Sequence, residues 1–230
     1  MLNINYNNKK AIMTFITISI TTVFIVTLVY LLAQNKITEN KEEHQKVILN
    51  KLLQSNDIKY NNNILKNIIY VKNSSYLHTN NYAPIYIAKY NQKITAIIIE
   101  TTAPDGYNGN IKILVAINPN FKNIKSSKII NIKVTDHEET PGLGDKADES
   151  KYKEKASKWL GLFRNKSLIN PENHNKWAVK KDKHDAIIDS WTGATITPRA
   201  ITKAVYNSLL FFEKNYQRII QTKYQDKIII

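Results

Sequence analysis

The chain has 230 residues, a formal net charge of +14 and no cysteine. Three of its 33 basic residues are arginine and the other 30 are lysine, scattered along the chain. A nucleic-acid surface clusters its positive charge and uses arginine for bidentate contacts, so this charge does not indicate a nucleic-acid partner. Without a thiolate the chain can neither form a disulfide nor ligate an iron–sulfur cluster, so any redox role requires an organic cofactor.

The first predicted element is a single membrane-spanning helix over residues 11–33. This run of 23 residues is uncharged, and at about 1.5 Å per residue it spans a hydrocarbon layer of roughly 30 Å. A cleaved signal sequence is the main alternative, but its apolar part is shorter and ends at a small-x-small site. Lys9 and Lys10 precede the run, which predicts a cytoplasmic tail over 1–10 and a globular domain on the outer side.

Residues 34–80 are predicted to form a stalk and the edge of the domain, helical at first and then rich in asparagine. The main domain is predicted over 81–220, followed by a C-terminal tail over 221–230. Short runs rich in isoleucine and valine, separated by polar turns, predict consecutive antiparallel strands. These runs are 84–90, 94–102, 111–117 and 128–134.

Two helices are predicted beside this sheet. The apolar face of the first is formed by Tyr152, Ala156, Trp159, Leu160 and Phe163, and that of the second by Ile201, Val205, Leu209 and Phe212. Thr197 and Pro198 suit the N-cap and first turn of the second helix, and 186–190 is a further short strand candidate. The expected fold class is therefore α+β, with one N-terminal transmembrane helix followed by a mostly antiparallel sheet with flanking helices.

The first motif is residues 189–200, "DSWTGATITPRA", just before the last predicted helix. From the residues alone it is a connection in which Gly193 permits an unusual backbone angle and Thr197 caps the helix. Its beginning resembles the D-x-x-[ST]-G-A-T signature of proteins that carry FMN in phosphoester linkage to the last threonine. The resemblance implies that the FMN is attached covalently to Thr195. The other cofactor-binding residues that it implies here are Asp189, Thr192, Gly193 and Ala194.

The second motif is residues 137–146, "HEETPGLGDK". From composition alone it is a Pro/Gly loop with solvated glutamates, and no metal site is expected, because adjacent strand positions point to opposite faces. The motif resembles the H-x-E-T-P-G-L-G block of the G subunit of the Rnf electron transport complex. A related form occurs in the C subunit of the sodium-pumping NADH:quinone oxidoreductase. The residues that the resemblance implies at the flavin are Glu139, Thr140, Gly142, Leu143 and Gly144.

Further likeness and two departures surround these motifs. Residues 105–117, "DGYNGNIKILVAI", resemble the family's GY-x-G-x-I segment before a strand. Residues 118–123 stand where the family has a glycine-containing turn, and Ser126 and Ser127 lie where a glycine is common. These departures are expected to alter a hairpin rather than the flavin site.

The resemblance implies a membrane-anchored flavoprotein subunit in the bacterial inner membrane. It would relay electrons through FMN beside other membrane and peripheral subunits, and the whole complex would couple electron transfer to ion translocation. A separate flavin transferase would attach the FMN, and no catalytic residue is expected on this chain itself. The N-terminus of the helix near Pro198 would favour the phosphate, with Arg199 as a counter-charge.

Two alternatives remain open. One is the corresponding C subunit of the sodium-pumping NADH:quinone oxidoreductase, although the compact chain and the "ETPGLGD" wording favour the Rnf family. The other is a non-enzymatic, envelope-anchored binding protein with a relic flavin motif. Among the tryptophans, Trp191 is the candidate for stacking on a flavin, whereas Trp159 is expected in the core.

Overall fold

The computed structural model describes residues 6–54, 58–72, 74–79, 81–170 and 174–229. The chain forms two compact units, Met1–Val47 and Ile48–Ile230. The first helix, α1 (Tyr6–Gln54), is continuous, and its last residues belong to the second unit. The helix therefore continues beyond the apolar run into the predicted segment 34–80 and ends at Gln54.

The apolar part of α1 is long enough to cross a membrane and is not buried by the rest of the chain. Large side chains on it are largely exposed, among them Phe15 and Leu32. Four threonine hydroxyls donate to carbonyls one turn earlier in the same helix, at distances of 2.8–2.9 Å. These are Thr14, Thr17, Thr21 and Thr22. Their polar groups are thus satisfied within the helix, as an apolar environment requires.

Within the described residues, six strands form one sheet in the order β5-β4-β3-β2-β1-β6. The strands are β1 (Ile68–Lys72), β2 (Ala83–Tyr90), β3 (Lys93–Ala103), β4 (Ile111–Asn118), β5 (Lys128–Asp136) and β6 (Lys227–Ile229). Neighbours from β1 to β5 pair antiparallel, whereas β6 pairs parallel with β1. The four predicted runs are confirmed as β2 to β5, and the α+β fold class is confirmed with them.

Two strands extend the sheet beyond the predicted domain bounds of 81–220. β1 lies in the predicted stalk segment 34–80, and β6 lies in the predicted tail 221–230. β1 and β6 pair with each other although they lie far apart in the sequence, and a 3.0 Å hydrogen bond runs from Tyr70 N, in β1, to Asp226 O, just before β6. Both strands are short, so neither has an alternation long enough to be seen in the sequence.

The sheet is covered on both faces, which explains why its central strands are almost continuously apolar. On one face, Ile97 and Ile99 of β3 lie in a cluster with α2 (Glu149–Leu160) and α3 (Ile196–Gln221). On the other face, Ile98 lies in a second cluster with the C-terminal end of α1. The predicted stripe of α3 is buried in the first cluster, as are Trp159, Leu160 and Phe163 within and just after α2.

Two local expectations change. Residues 186–190 form no strand, and only an isolated parallel bridge joins Val179 to Ile188, because the apolar part of this segment is too short to extend a ladder. The turn at 118–127, where the family has glycine, is held by side-chain hydrogen bonds. In one of them Asn120 N donates to Ser127 Oγ at 2.9 Å.

Replacing Leu53 with alanine tests the packing of α1 on the sheet. Leu53 is fully buried, so we expect Leu53→Ala to lower the free energy of unfolding by about 2–5 kcal/mol. The free energy of unfolding is measured by chemical denaturation of the full chain in detergent, monitored by tryptophan fluorescence. Val47→Ala is the control, because Val47 is 41% exposed on the same helix and its loss should cost within about 0.5 kcal/mol. If both variants lowered the free energy of unfolding by the same small amount, the packing of Leu53 would be contradicted.

Candidate functional site

One pocket of the second unit is built by both motif segments and a third loop. It has a volume of about 290 Å³. The residues lining it are Tyr107, Glu139, Thr140, Leu143, Gly144, Gly193, Ala194, Thr195, Ile196 and Thr197. The two motifs are therefore neighbours in space, and the loop between β3 and β4 completes the pocket.

Seven of the ten sequence-predicted cofactor residues line this pocket, and three do not. Asp189 is exposed and pairs with Lys180 at 2.7 Å. Thr192 is exposed, and its carbonyl accepts a hydrogen bond from Lys146 Nζ at 3.0 Å. Gly142 lies in the turn behind the pocket, where its φ of +78° favours glycine. The sequence motifs did not identify Tyr107, Ile196 or Thr197, which the structure adds to the lining.

Thr195 occupies the N-cap position of α3, immediately before the first helical residue. It is half-buried, and its hydroxyl makes no capping hydrogen bond. The preceding turn closes through a 3.3 Å hydrogen bond from Ala194 N to Trp191 O, and Gly193 allows it with a φ of +83°. Thr195 therefore lies at the head of this 26-residue helix and lines the pocket, where the helix dipole favours negative charge.

The expectation that Thr197 caps the helix is wrong. Thr197 lies in the first turn and is buried, and its hydroxyl donates to Oε2 of Glu139. Glu139, which composition alone suggested to be solvated, is only 5% exposed. A buried carboxylate is tolerated only when it accepts hydrogen bonds. The first turn of α3 supplies one such donor to Glu139, the hydroxyl of Thr197.

The Glu139 carboxylate is enclosed by backbone as well as by Thr197. Its Oε1 accepts a hydrogen bond from Asn108 N at 3.1 Å. A Cβ on Gly106 would lie 2.7 Å from the same oxygen, and a Cβ on Gly144 would overlap Oε2 and lie 2.8 Å from Thr197 Oγ1. Glycine is required at position 144 because the backbone passes directly against the carboxylate. At position 106 a Cβ would first meet the backbone oxygen of Gly109, at 2.2 Å, and then the carboxylate.

The turn at residues 140–144 rests on a second buried carboxylate. Asp145 is 1% exposed, and its Oδ1 accepts from Gly142 N at 2.8 Å and from the Tyr152 hydroxyl at 3.0 Å. Its Oδ2 pairs with Lys151 at 3.2 Å. These bonds tie the turn to α2 and fix the backbone that faces the pocket.

His137 has a structural role in the same loop. Its Nδ1 accepts a hydrogen bond from Glu139 N at 3.2 Å, and its Nε2 lies 3.5 Å from Asp148. Burial acts to raise the pKa of Asp148, but hydrogen bonds from Ser150 and the nearby His137 outweigh it and leave the pKa below its usual value. The histidine therefore anchors the loop to the start of α2.

Two residues expected near the flavin, Trp191 and Arg199, have protein partners in this structure. Trp191 packs on Trp159 with ring centroids 4.6 Å apart, and the Trp159 indole N–H donates to Asp189 O at 2.7 Å. Arg199, the expected counter-charge, forms a two-point ion pair with Asp182, with Nε to Oδ2 at 2.5 Å. The hydrogen bond from Arg199 lowers the pKa of Asp182. Both contacts hold the segment before α3 in place.

The FMN-binding domain family matches residues 106–210, the interval that contains every residue lining the pocket. The second unit thus contains an FMN-binding domain. The G subunit of the ion-translocating oxidoreductase complex of Aliivibrio fischeri strain ATCC 700601 / ES114 is 35% identical over 214 residues, 93% of this chain and 94% of that protein. The same subunit of Shewanella piezotolerans is 36% identical and covers 85% of each chain.

A third relative, the G subunit of Vibrio vulnificus, is 34% identical and covers 92% of each chain. The similarity includes nearly the whole chain, not only the part that lines the pocket. The chain therefore belongs to the family of G subunits of the Rnf-type ion-translocating oxidoreductase complex.

Removing the Glu139 carboxylate tests the bonding that joins the pocket segments. Glu139→Ala leaves the buried Thr197 hydroxyl and Asn108 N without their acceptor, so we expect a loss of about 1–3 kcal/mol in the free energy of unfolding. Glu138→Ala is the matched control, because the neighbouring side chain is exposed and its loss should cost within about 0.5 kcal/mol. Denaturant titration compares them, and equal stabilities would refute this role of Glu139.

Proposed function

We propose that this chain is the membrane-anchored flavoprotein subunit of an Rnf-type complex and carries FMN in phosphoester linkage on Thr195. Membership in the G subunit family supports the complex, and the FMN-binding domain supports the cofactor. The observation that carries the attachment site is the position of Thr195. It lies at the head of α3, its side chain makes no capping hydrogen bond, and it lines the pocket that both motifs form.

The pocket fits the two halves of FMN by their chemistry. A phosphate diester carries one negative charge, and the N-terminus of a long helix offers free N–H groups and a favourable dipole to it. The isoalloxazine ring is flat and largely apolar, and Leu143 and Ile196 line the pocket while being 46% and 42% exposed. The pocket-lining residues of the two motifs would then hold the cofactor: Glu139, Thr140, Leu143 and Gly144 from one, and Gly193, Ala194 and Thr195 from the other.

Attachment requires a second enzyme. Thr195 follows an exposed turn at Thr192 and Gly193, so a flavin transferase can reach it. None of the pocket-lining side chains is a histidine or lysine that could remove the hydroxyl proton. Asp189 is exposed and outside the pocket, which suits recognition by the transferase rather than contact with the cofactor.

When bound, FMN supplies the electron transfer, and this chain contributes position and surroundings. The exposed apolar side chains of the lining would contact the ring, and the hydrogen-bonded Glu139 keeps the walls of the pocket in place. The anchor α1 holds the domain at the inner membrane, with residues 1–10 in the cytoplasm and the domain outside. The bound flavin would exchange electrons with centres on other subunits, and the whole complex would translocate ions.

The relatives favour this proposal over the two alternatives. They are named as G subunits of an ion-translocating oxidoreductase complex, which supports the Rnf type over the C subunit of the sodium-pumping enzyme. A binding protein with a relic motif is disfavoured because the two motif segments line one pocket and the relatives are named as oxidoreductase complex subunits.

Thr195→Ala tests the attachment. After co-expression with a flavin transferase, we expect the denatured wild type to fluoresce in a gel and Thr195→Ala to be dark, because the phosphoester bond survives denaturation. Thr192→Ala removes a hydroxyl from the same turn and is the matched control that should stay fluorescent. Thr195→Ser restores a hydroxyl and should regain signal. A fluorescent Thr195→Ala or a dark wild type would contradict the proposal.

The absence of cysteine allows a direct test of orientation. Asn8→Cys and Lys223→Cys each place one thiol at an exposed position on either side of the apolar run. A membrane-impermeant maleimide added to spheroplasts is expected to label position 223 and to label position 8 only after lysis. The reverse pattern would place the domain in the cytoplasm.

A further inference from the structure

Exposed apolar side chains beyond α1 are few, and several of them meet at the pocket. In the described part of the chain after residue 54, seven large apolar side chains are more than 40% exposed. They are Tyr90, Tyr107, Phe121, Leu143, Ile169, Ile196 and Ile220. Tyr107, Leu143 and Ile196 all line the same pocket. Apolar groups concentrated in this way mark a surface that another molecule covers.

Tyr107 is distinctive within this set. At 66% it is the most exposed of the seven, and among the described lining residues it is the only aromatic one. Aromatic rings prefer to stack or to pack edge to face on other flat rings. The phenol ring of Tyr107 therefore has the chemistry to contact a flat heteroaromatic ligand in the pocket.

The loop that carries Tyr107 is held in place on both sides of the ring. On the C-terminal side, Asn108 N donates to Glu139 Oε1 at 3.1 Å, and Asn108 Nδ2 donates to Glu138 O at 2.9 Å. On the N-terminal side, Asp105 pairs with Lys203 of α3 at 2.6 Å, and this hydrogen bond lowers the pKa of Asp105.

Gly106 lets the loop approach Glu139 more closely than any other residue would allow. These contacts hold the backbone of the loop beside the pocket, and Tyr107 lines the pocket in this structure. A loop that is already in place need not be ordered by the ligand, which lowers the entropic cost of binding.

Resting on the proposed attachment of FMN to Thr195, we propose that Tyr107 packs its ring against the isoalloxazine and forms the aromatic wall of the flavin site. Leu143 and Ile196 form its aliphatic walls. The contacts of Asn108 make it the positioning residue for Tyr107. The competing explanation is that Tyr107 contacts a partner subunit and leaves the flavin untouched.

Flavin fluorescence distinguishes these roles. An excited isoalloxazine takes an electron from a phenol packed against it, and the electron then goes back to the phenol cation without emission. The emission of the native protein, expressed per FMN and relative to the denatured protein, therefore reports the contact. FMN per chain is measured from the absorbance after denaturation.

We expect the full-length wild type, co-expressed with a flavin transferase, to be strongly quenched when native. Tyr107→Leu should raise native emission per FMN several-fold. Tyr107→Phe keeps a ring but is a poor electron donor, so it should also be bright while keeping the wild-type flavin absorption spectrum. Tyr90→Leu, which removes an exposed tyrosine outside the pocket, is the matched control and should stay quenched.

The outcomes separate this inference from the proposed function. If Tyr107→Leu and Tyr107→Phe carry normal FMN and stay as quenched as the wild type, the ring contact is refuted while the attachment at Thr195 stands. A wild type without covalent FMN refutes the proposed function itself. Should Tyr107→Leu fail to fold, Tyr107→Phe alone decides, since bright emission supports the contact and quenched emission overturns it.

Discussion

The site depends on one buried carboxylate that has to be bonded. Glu139 is 5% exposed, and an acidic group removed from water in this way is tolerated only when donors surround it. Thr197 at the head of α3 and Asn108 in the β3–β4 loop supply those donors. Gly106 and Gly144 supply the room, because their backbone replaces the space of a side chain. One ionisable side chain thereby joins three segments into a single pocket.

The sheet holds the segments that make these hydrogen bonds in fixed positions. β3 and β4 present the loop with Asn108 from one hairpin, and β5 leads directly into the loop with Glu139. Both faces of the sheet are buried, so the strands that carry the loops cannot shift without exposing packed isoleucines. Binding residues on loops that a rigid scaffold positions are a common arrangement, and here the scaffold extends to the start of α3.

The division of labour in the proposed function follows from the chemistry of the chain. Two carboxylates beside the pocket, those of Glu139 and Asp145, make structural hydrogen bonds, and in the proposed function the domain holds a redox group. A hydroxyl at a helix N-terminus is a suitable place for a phosphate, and exposed apolar side chains beside it are suitable for a ring. In the proposed site, Thr195 would hold the phosphate and Tyr107 would contact the ring.

Local sequence signals determined the elements whose information lies within a few residues. The uncharged run of α1, strands β2 to β5 and the buried stripe of α3 were all predictable, because their periodicity is set by burial along one element. The two motifs also pointed to the same pocket. Tertiary structure decided the rest: Asn108 and Glu139 are 31 residues apart and Glu139 and Thr197 are 58 apart. Sequence spacing cannot reveal such contacts, because a hydrogen bond between distant segments depends on where the fold brings them. For this reason the sequence suggested that Thr197 caps the helix and that Glu139 is a solvated side chain.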